Sequence, residues 1–296
     1  MQSPVAGEWI ALVIPGHKPA GQATVKNRAL GYTGRMANDP SAPVRPRPRR
    51  VVYLLPNLLT TGAMFAGFYA IVAAINGDYT NAVIAIFVAG LLDGLDGRVA
   101  RLTNTQSEFG VQYDSLSDLV SFGVAPALVL FVWSLKSLSA FGPAWGKFGW
   151  TAAFIFAVSG ALRLARFNTQ VGTADKRWFT GLAIPAGAGV AMSFVWMVID
   201  SGRSGRDVQF ITPVIAIVTG LLMISRFRYF SFKAWPRGEK VPFFAIPVIL
   251  LILIALVVNP PVVLCAVAFT YALSGPALAL WSRLRGRRDA QETLPP

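Results

Sequence analysis

Residues 93–118 read DGLDGRVARLTNTQSEFGVQYDSLSD and place four aspartates at the edges of two otherwise apolar stretches. The four are Asp93, Asp96, Asp114 and Asp118. An aspartate at the centre of a bilayer helix costs about 2.5–3.5 kcal/mol, so a cluster of four needs compensation. A bound divalent cation is the simplest compensation. The stretch therefore predicts a metal site built from membrane helices.

The composition around this stretch is typical of a polytopic membrane protein. Of the 296 residues, 54% are hydrophobic and 14% charged, and the mean hydropathy is +0.53. Apolar stretches of about 20 residues, long enough to cross a hydrocarbon core of about 30 Å, follow one another along the chain. We therefore predict an all-α fold with about eight transmembrane helices. The predicted spans are approximately residues 52–75, 80–100, 115–134, 149–167, 181–199, 209–225, 242–258 and 261–281.

The domain organisation follows from these spans. Residues 1–44 are too polar and too rich in Gly and Pro to fold alone, so we expect a disordered cytoplasmic tail. Residues 45–283 form the predicted transmembrane catalytic domain, and residues 284–296 a second cytoplasmic tail. The last two spans are separated by Asn259-Pro260-Pro261. Because two successive prolines remove backbone donors, we predict a tight turn there rather than one long helix.

The distribution of positive charge indicates the orientation in the membrane. The net charge is +13, and with a cytoplasmic N-terminus all but four of the 27 Lys and Arg residues fall on cytoplasmic segments or span ends. An excess of Lys and Arg on one side of the membrane is typical of the cytoplasmic loops of membrane proteins. This distribution of charge disfavours a nucleic-acid-binding role. We predict a bacterial inner membrane location, with both termini and the active site on the cytoplasmic side. The four Lys and Arg residues that fall on the opposite side of the membrane are Lys136, Lys147, Arg203 and Arg206.

Thiol and imidazole chemistry are not expected to carry the function. Cys265 is the single cysteine and lies in the apolar run VVLCAVA, so a disulfide framework or a cysteine-based metal site is excluded. His17 is the single histidine and lies in the polar N-terminal tail without ligand partners at useful spacing. Carboxylates remain as the candidate chemical groups.

The spacing of the aspartates predicts two converging pairs. Asp93 and Asp96 are three apart on the second predicted helix, and Asp114 and Asp118 are four apart on the third, so each pair shares a helix face. The short predicted loop 102–112 lets both pairs meet in one antiparallel hairpin. Four carboxylates suit hard cations, so we expect Mg²⁺ or Mn²⁺, with two ions bound. Such ions usually act on phosphates.

Glycine and arginine residues beside the aspartates support a phosphate-binding role. Gly97 would let a phosphorylated ligand approach the helix backbone, and Arg101 could bind phosphate through both guanidinium edges. Gly110 precedes the second aspartate pair. Each residue alone also has a structural explanation, since small residues pack membrane helices and interfacial arginines anchor them. The whole set of residues in this fixed order is a much more restrictive pattern than any one of them, and it favours the phosphate-binding role.

The pattern D-x-x-D-G-x-x-A-R, eight residues, then G-x-x-x-D-x-x-x-D resembles the signature of the CDP-alcohol phosphotransferases, and every signature position is met. The resemblance implies a six-helix core, here followed by two further C-terminal helices. It also implies a two-metal site made by the four aspartates, at which an alcohol displaces CMP from a CDP-linked lipid. By the same resemblance Asp118 is both a metal ligand and the general base.

The resemblance also implies the residues that contact the CDP-lipid. They map to Gly97 and Arg101, to Ser107 in the predicted loop, and to the Pro56-Asn57 pair at the start of the first span. Ser107 is the weaker assignment, because a serine in a polar loop is usually solvated and Glu108 is an alternative polar contact.

The acceptor alcohol must be inferred from other stretches. DSLSDLVSFGVAPA at 114–127, ALRLARFN at 161–168, FTGLAIPAGAG at 179–189 and SFK at 231–233 resemble the phosphatidylserine synthase branch. The resemblance covers about residues 50–258. It implies that CDP-diacylglycerol and L-serine are the substrates, that phosphatidylserine and CMP are the products, and that the protein is a homodimer among membrane lipids.

Serine brings a carboxylate and an ammonium group but no phosphate, so its receptor needs a cation near the metals. Arg163 and Arg166 are three apart at the cytoplasmic end of the fourth span and could present a guanidinium to that carboxylate. The competing explanation for both arginines is that they anchor the end of the helix at the cytoplasmic face of the membrane. Asn168, Lys176 and Arg177 are weaker candidates.

Three alternatives remain open from the sequence. The same fold could use glycerol 3-phosphate or an inositol phosphate as acceptor. Intramembrane carboxylates also mark ion-coupled transporters, although these aspartates lie toward helix ends and no broken helix recurs in matching halves. A metal-dependent phosphatase or a membrane scaffold would leave the Ala-Arg pair and the glycines unexplained.

Overall fold

The structure is a computed structural model that describes residues 50–103, 105, 107–169, 178–230 and 245–292. Several predictions lie outside these residues: the disordered tail over 1–44 with His17, the SFK segment at 231–233, and the contributions of Lys176 and Arg177. The last four residues of the predicted C-terminal tail also lie outside them.

The described residues form helices joined by short connections, together with one two-stranded antiparallel sheet. The sheet pairs Phe179 with Tyr229. In chain order the elements are α1 (Arg50–Ile75), α2 (Tyr79–Leu102), α3 (Glu108–Asp118), a π-helical segment (Leu119–Val124), α4 (Ala125–Trp133), a 3₁₀ segment (Leu135–Phe141), α5 (Pro143–Thr169), β1 (Trp178–Thr180), α6 (Ile184–Asp200), α7 (Thr212–Ile224), β2 (Arg228–Phe230), α8 (Ala245–Val258) and α9 (Pro260–Glu292).

This architecture confirms the predicted all-α polytopic membrane fold. Because α3, the π segment and α4 follow one another without a break, the described part of the chain contains eight helical units, in agreement with the predicted number. Among the residues that the structure describes, four stretches are long and apolar enough to cross a membrane by length and composition: Leu55–Ile75, Glu108–Phe141, Pro143–Thr169 and Pro260–Ser282. The apolar helices α6 and α7 are shorter. The protein is an integral membrane protein.

Helices extend well beyond the predicted spans at three places. α3 begins at Glu108 within the predicted loop, so Gly110 is helical. α5 begins at Pro143, earlier than predicted. α9 continues to Glu292, into the predicted C-terminal tail. Helices extend beyond the apolar run in each case because backbone hydrogen bonding does not stop where hydrophobicity does.

The break between the last two helices is where the sequence predicted it. α8 ends at Val258 and α9 begins at Pro260. Asn259 caps α9, since its side-chain Oδ1 accepts a hydrogen bond from the Val262 N–H at 3.2 Å. Pro260 at the first helical position needs no donor of its own.

Small residues bring α1 close to its neighbours. α1 buries Ala63, Ala66, Ala70 and Ala74, a row that repeats every three or four residues along one face. Gly67 lies so close to the π segment that an added Cβ would be 2.7 Å from the Cα of Ser121. Close helix approach through small residues is how membrane helices pack. α1 thereby becomes the common support of the two aspartate-bearing helices.

Candidate metal centre and substrate cavity

Three of the four predicted aspartates form one carboxylate group. One oxygen from each of Asp93, Asp114 and Asp118 lies within 4.8 Å of the other two, and all three residues are partly buried. Asp93 comes from α2, whereas Asp114 and Asp118 come from α3. Carboxylates this close repel one another when ionised, and a hard divalent cation removes that repulsion. The donor set therefore fits a Mg²⁺ or Mn²⁺ ion.

Asp96 lies beside this group rather than in it. Its side chain is 5% exposed, and its Oδ2 accepts a hydrogen bond from the Thr60 hydroxyl at 2.6 Å. The charge of Asp96 also acts on Asp118, so the two carboxylates are neighbours. The role of Asp96 as a metal ligand stays a prediction, and its described partner is a hydroxyl of α1.

A cavity of about 440 Å³ adjoins the carboxylate group and is lined mainly by residues of α1, α2 and α3, with Phe167 of α5. Asp96 and Asp114 both line it, which connects the cavity to the aspartates. All five residues predicted to contact the CDP-lipid also line it. The remaining lining includes Thr60, Ala100, Thr105, Gly110, Val111 and Phe167, and the five predicted contacts are Pro56, Asn57, Gly97, Arg101 and Ser107.

The α2 wall of the cavity exposes backbone. A Cβ added to Gly97 would meet no atom within 4 Å, so the space above this residue is open. Arg101 lies one turn further along, and its Nε donates a hydrogen bond to the Gly97 carbonyl at 2.8 Å. This bond fixes the guanidinium along the wall. A ligand can therefore approach the α2 backbone next to a fixed positive charge.

The N-terminus of α3 also lines the cavity. Ser107 caps the helix, since its Oγ accepts a hydrogen bond from the Gly110 N–H at 3.0 Å. A Cβ on Gly110 would lie 3.1 Å from that Oγ, so a larger residue would crowd the capping serine, and it would touch the Asn57 Oδ1 at an ordinary 3.5 Å. Helix N-termini attract anions through free N–H groups. The sequence predicted a loop at Ser107, although a serine with an acidic residue, Glu108, directly after it is a signal for the start of a helix.

The two arginines predicted to bind serine have different surroundings. The charge of Arg163, on α5, interacts with that of Asp118. Its buried Nε has no hydrogen-bond partner among the described residues. Arg166 instead donates from Nη1 to the Ile224 carbonyl at 3.4 Å, at the end of α7. Asn168, a weaker candidate, donates to the Ser115 Oγ at 3.1 Å and so ties α5 to α3. Arg163 alone of the two adjoins the carboxylates.

With this geometry in place, comparison with known proteins identifies the family. The model of the CDP-alcohol phosphatidyltransferase family matches residues 53–222, more than half of the chain. The chain belongs to this family. The match spans α1 to α7 and includes every residue that lines the cavity. Members of this CDP-alcohol phosphatidyltransferase family use divalent metals, which agrees with the carboxylate group.

Curated relatives within the CDP-alcohol phosphatidyltransferase family carry more specific names. A CDP-diacylglycerol–serine O-phosphatidyltransferase from Helicobacter pylori is 36% identical over 190 residues, which are 63% of this chain and 76% of that protein. One of the same name from Mycobacterium leprae is 36% identical over 189 residues, 62% of this chain and 60% of that protein. An archaetidylserine synthase from Methanothermobacter thermautotrophicus is 34% identical over 180 residues, 59% of this chain and 69% of that protein.

Proposed function

We propose that this protein transfers the phosphatidyl group of CDP-diacylglycerol to the hydroxyl of L-serine, which yields phosphatidylserine and CMP. The observation that carries the proposal is the position of Asp114. This residue belongs both to the group of three carboxylates and to the lining of the cavity. A phosphorylated ligand in the cavity would therefore meet the metal centre. The names of the relatives supply the serine acceptor.

The cavity has the groups that a CDP headgroup needs. The Arg101 guanidinium, fixed on the Gly97 carbonyl, offers positive charge to the diphosphate. The capped N-terminus of α3 offers a second anion-binding surface in the same cavity. Pro56 and Asn57 at the α1 end of the cavity are our candidates for contacts with the nucleoside. The CDP-lipid contacts that we assign are thus Pro56, Asn57, Gly97, Arg101 and Ser107.

The surroundings of the cavity favour lateral entry of the lipid. Three apolar residues on helices that line the cavity are highly exposed: Leu58 of α1 at 61%, Leu102 of α2 at 83% and Phe109 of α3 at 68%. In a membrane protein such residues face acyl chains rather than water. The diacylglycerol part of the substrate would remain among lipid tails while the diphosphate enters the cavity.

Asp118 is our candidate for the general base. It takes the proton from the serine hydroxyl, and the resulting oxygen nucleophile attacks the phosphorus that carries the diacylglycerol. The new P–O bond to serine forms as the P–O bond to CMP breaks, and CMP leaves with the bonding electron pair as a phosphate monoester. The proton on Asp118 then passes to solvent. Arg101 remains paired with the negatively charged phosphate of the departing CMP.

We assign Asp93, Asp96, Asp114 and Asp118 as ligands of two divalent ions, Mg²⁺ or Mn²⁺. When bound, the ions neutralise charge on the diphosphate and orient it for attack. The three carboxylates whose oxygens lie within 4.8 Å of one another support this assignment directly. Asp96 supports it because it lines the cavity beside them.

Arg163 is our candidate for recognition of the serine carboxylate. It lies close enough to Asp118 for the two charges to interact, so an acceptor bound to it would have its hydroxyl near the base. Its unpartnered Nε leaves a donor for that carboxylate. Arg166 would lie further from the acceptor, because its described hydrogen bond is to the Ile224 carbonyl at the end of α7.

We further propose that the reaction takes place at the cytoplasmic face of a bacterial inner membrane and that the protein is a homodimer. The excess of Lys and Arg on one set of loops supports an orientation with both termini in the cytoplasm. Serine and CMP are water-soluble, so an active site at that face exchanges both directly with the cytoplasm.

The test is a headgroup assay with purified protein. The protein in detergent is incubated with CDP-diacylglycerol, a divalent metal and one acceptor at a time: L-serine, glycerol 3-phosphate, inositol phosphate or none. CMP release with serine alone, together with phosphatidylserine in the lipid extract, is the expected result. CMP release only with a phosphorylated acceptor would reject serine. CMP release without any acceptor would indicate a hydrolase.

A further inference from the structure

The last helix of the chain contains a proline that removes one of the helix's own hydrogen-bond donors. α9 begins at Pro260 and continues through Pro276. Because proline has no backbone N–H, the carbonyl four residues earlier, that of Ala272, loses its ordinary helical donor. Both residues lie in the stretch 260–282, which is long and apolar enough to cross a membrane. A bilayer core offers no water as a substitute, so the Ala272 carbonyl needs a donor from elsewhere in the protein.

A tyrosine from another element supplies that donor. The Tyr229 hydroxyl, on β2, donates a hydrogen bond to the Ala272 carbonyl at 3.0 Å. Tyr229 is fully buried and Ala272 is 4% exposed, so the bond is shielded from solvent. A buried bond of this kind is costly to break, because the carbonyl is then left without a partner. The hydroxyl stands where the N–H of residue 276 would be in an unbroken helix.

The residue before the proline gives the tyrosine ring access to the helix. A Cβ on Gly275 would lie 2.5 Å from the Cζ of Tyr229 and 2.8 Å from two further ring carbons. Those atoms belong to a rigid, fully buried ring, so any larger residue at 275 would push the hydroxyl away from Ala272. Pro276 thus leaves a carbonyl without its helical donor, and Gly275 lets the replacement donor reach it.

The donor side of the bond is itself held in place. The ring of Tyr229 packs against that of Tyr271, with 5.6 Å between the ring centroids and an interplanar angle of 44°. Its backbone belongs to the two-stranded sheet, in which Tyr229 pairs with Phe179 of β1. The hydroxyl therefore approaches α9 from a fixed direction.

This contact joins α9 to the part of the chain that the family model covers. The matched region ends at residue 222, a few residues before β2, whereas α9 lies entirely beyond it. α9 also packs on α6, which belongs to the matched region. A helix that contains adjacent glycine and proline residues is prone to bend at that point. The tyrosine bond lies at the turn where α9 would bend.

We propose that the Tyr229 hydroxyl replaces the backbone donor that Pro276 lacks and so locks α9 onto the two-stranded sheet at a proline hinge. With the bond in place, the Ala272 carbonyl is satisfied and the hinge is closed. Without it, the turn would hold a proline, a glycine and a carbonyl that lacks its helical donor. The lock is independent of the alcohol that the enzyme uses, and its tests do not depend on activity.

The first test is Tyr229→Phe, which keeps the ring against Tyr271 and removes only the donor. The thermal midpoint of the full-length protein in detergent should fall by roughly 3–8 °C, as expected for a buried carbonyl that loses its partner. Hydrogen exchange measured by mass spectrometry should become faster in peptides of α9 around Ala272 than in peptides of α1. A wild-type midpoint with wild-type exchange in α9 would overturn the proposal.

The decisive test uses Pro276→Ala, which restores the backbone N–H. In this background Tyr229→Phe should lower the midpoint by at most roughly a third of its effect in the wild-type protein, because the Ala272 carbonyl has its helical donor again. Equal effects in the two backgrounds would overturn the proposal, since the hydroxyl would then stabilise the protein without replacing the amide.

Ser134→Ala is the matched control. The Ser134 hydroxyl is also buried and also donates to a backbone carbonyl, that of Gly205 at 2.7 Å, but it lies between α4 and the 3₁₀ segment. Its substitution should lower the midpoint equally in the wild-type and Pro276→Ala backgrounds. If Pro276→Ala suppressed Ser134→Ala as strongly as Tyr229→Phe, the rescue would be a general stabilisation and the assigned role of Tyr229 would fail.

Discussion

The Thr60 hydroxyl of α1 donates a 2.6 Å hydrogen bond to the Oδ2 of Asp96 on α2. The carbonyl of the same threonine accepts a 3.1 Å hydrogen bond from Ser117 on α3, next to Asp118. One residue of α1 is therefore bonded to both aspartate-bearing helices. Thr60 sets the spacing between the two pairs of carboxylates, and its own side chain is 5% exposed.

We expect Thr60→Val to weaken the metal centre. Valine has nearly the same shape, so packing is retained while Asp96 loses its buried donor. Loss of a partner that orients a metal ligand typically costs 10-fold to 100-fold in metal affinity or activity. The concentration of Mg²⁺ or Mn²⁺ that gives half-maximal CMP release should therefore rise by roughly that factor.

Thr61→Val is the matched control for this variant. The Thr61 hydroxyl donates to the Asn57 carbonyl at 2.7 Å and pairs with the Tyr113 hydroxyl at 2.9 Å, and among the described residues it has no hydrogen bond to an aspartate. The metal dependence of this variant should match that of wild type. An unchanged metal dependence in Thr60→Val would show that Asp96 needs no support from α1.

Thr60 illustrates what the sequence could and could not predict. The aspartate spacing was sufficient to place two pairs of carboxylates on two helix faces, because helical periodicity is local. The partner of Thr60 lies 36 residues away, and nothing in the pattern around either residue predicts their contact. A threonine in an apolar span looks like a packing residue. Its role depends on how closely α1 approaches α2, which is a property of the tertiary fold.

The π-helical segment was missed for a different reason. Its residues, Leu119–Val124, read LVSFGV, which fits an α-helix equally well. The structure shows the wider turn directly after Asp118, where Ser121 donates to the Ala63 carbonyl at 3.0 Å. π turns are often found at functional sites. Here the segment changes the direction of the side chains that follow the fourth aspartate, and no sequence periodicity indicates such a local change.

Gly97→Ala tests whether the open space above α2 is used by substrate. A Cβ at this position meets no protein atom within 4 Å, so folding should be unaffected or improved by about 0.5–1 kcal/mol. The added methyl group should nevertheless obstruct the CDP headgroup. We expect the KM for CDP-diacylglycerol to rise by roughly tenfold or more, a loss of about 1.4 kcal/mol in binding.

Gly94→Ala is the control on the same helix. Its added Cβ also meets no atom within 4 Å, but Gly94 is not among the residues that line the cavity. The helix should gain similar stability, and the KM should remain close to wild type. Equal effects of the two substitutions would mean that helix geometry, rather than ligand access, explains the glycine at 97.

Divalent metal should stabilise the folded protein as well as activate it. A bound cation relieves the repulsion among the carboxylates of Asp93, Asp114 and Asp118. A ligand at 100 times its Kd stabilises the native state by about 2.7 kcal/mol. The thermal midpoint in detergent should therefore rise when Mg²⁺ or Mn²⁺ is added and fall again with a chelator.

Asp114→Asn should lose most of this thermal shift, because it removes one charge of the group of three. Asp78→Asn provides the comparison, since Asp78 caps the start of α2 through Asn81 and is not part of that group. It should lower stability by about 1 kcal/mol or less but keep the full metal-induced shift. A full shift in Asp114→Asn would remove this residue from the ligand set.

Asp118→Asn tests the general base. The substitution keeps the size of the side chain and one oxygen, but it removes the group that accepts the serine proton. General-base catalysis contributes about 10²–10⁴-fold, and CMP release should fall by at least that factor. The protein should remain folded, because one negative charge is removed from a crowded set of carboxylates.

Equilibrium binding of CDP-diacylglycerol should persist, since Gly97, Arg101 and the α3 N-terminus are unchanged. Full activity in Asp118→Asn would reject the proposed chemistry, and loss of both binding and activity would leave Asp118 a role in metal binding alone.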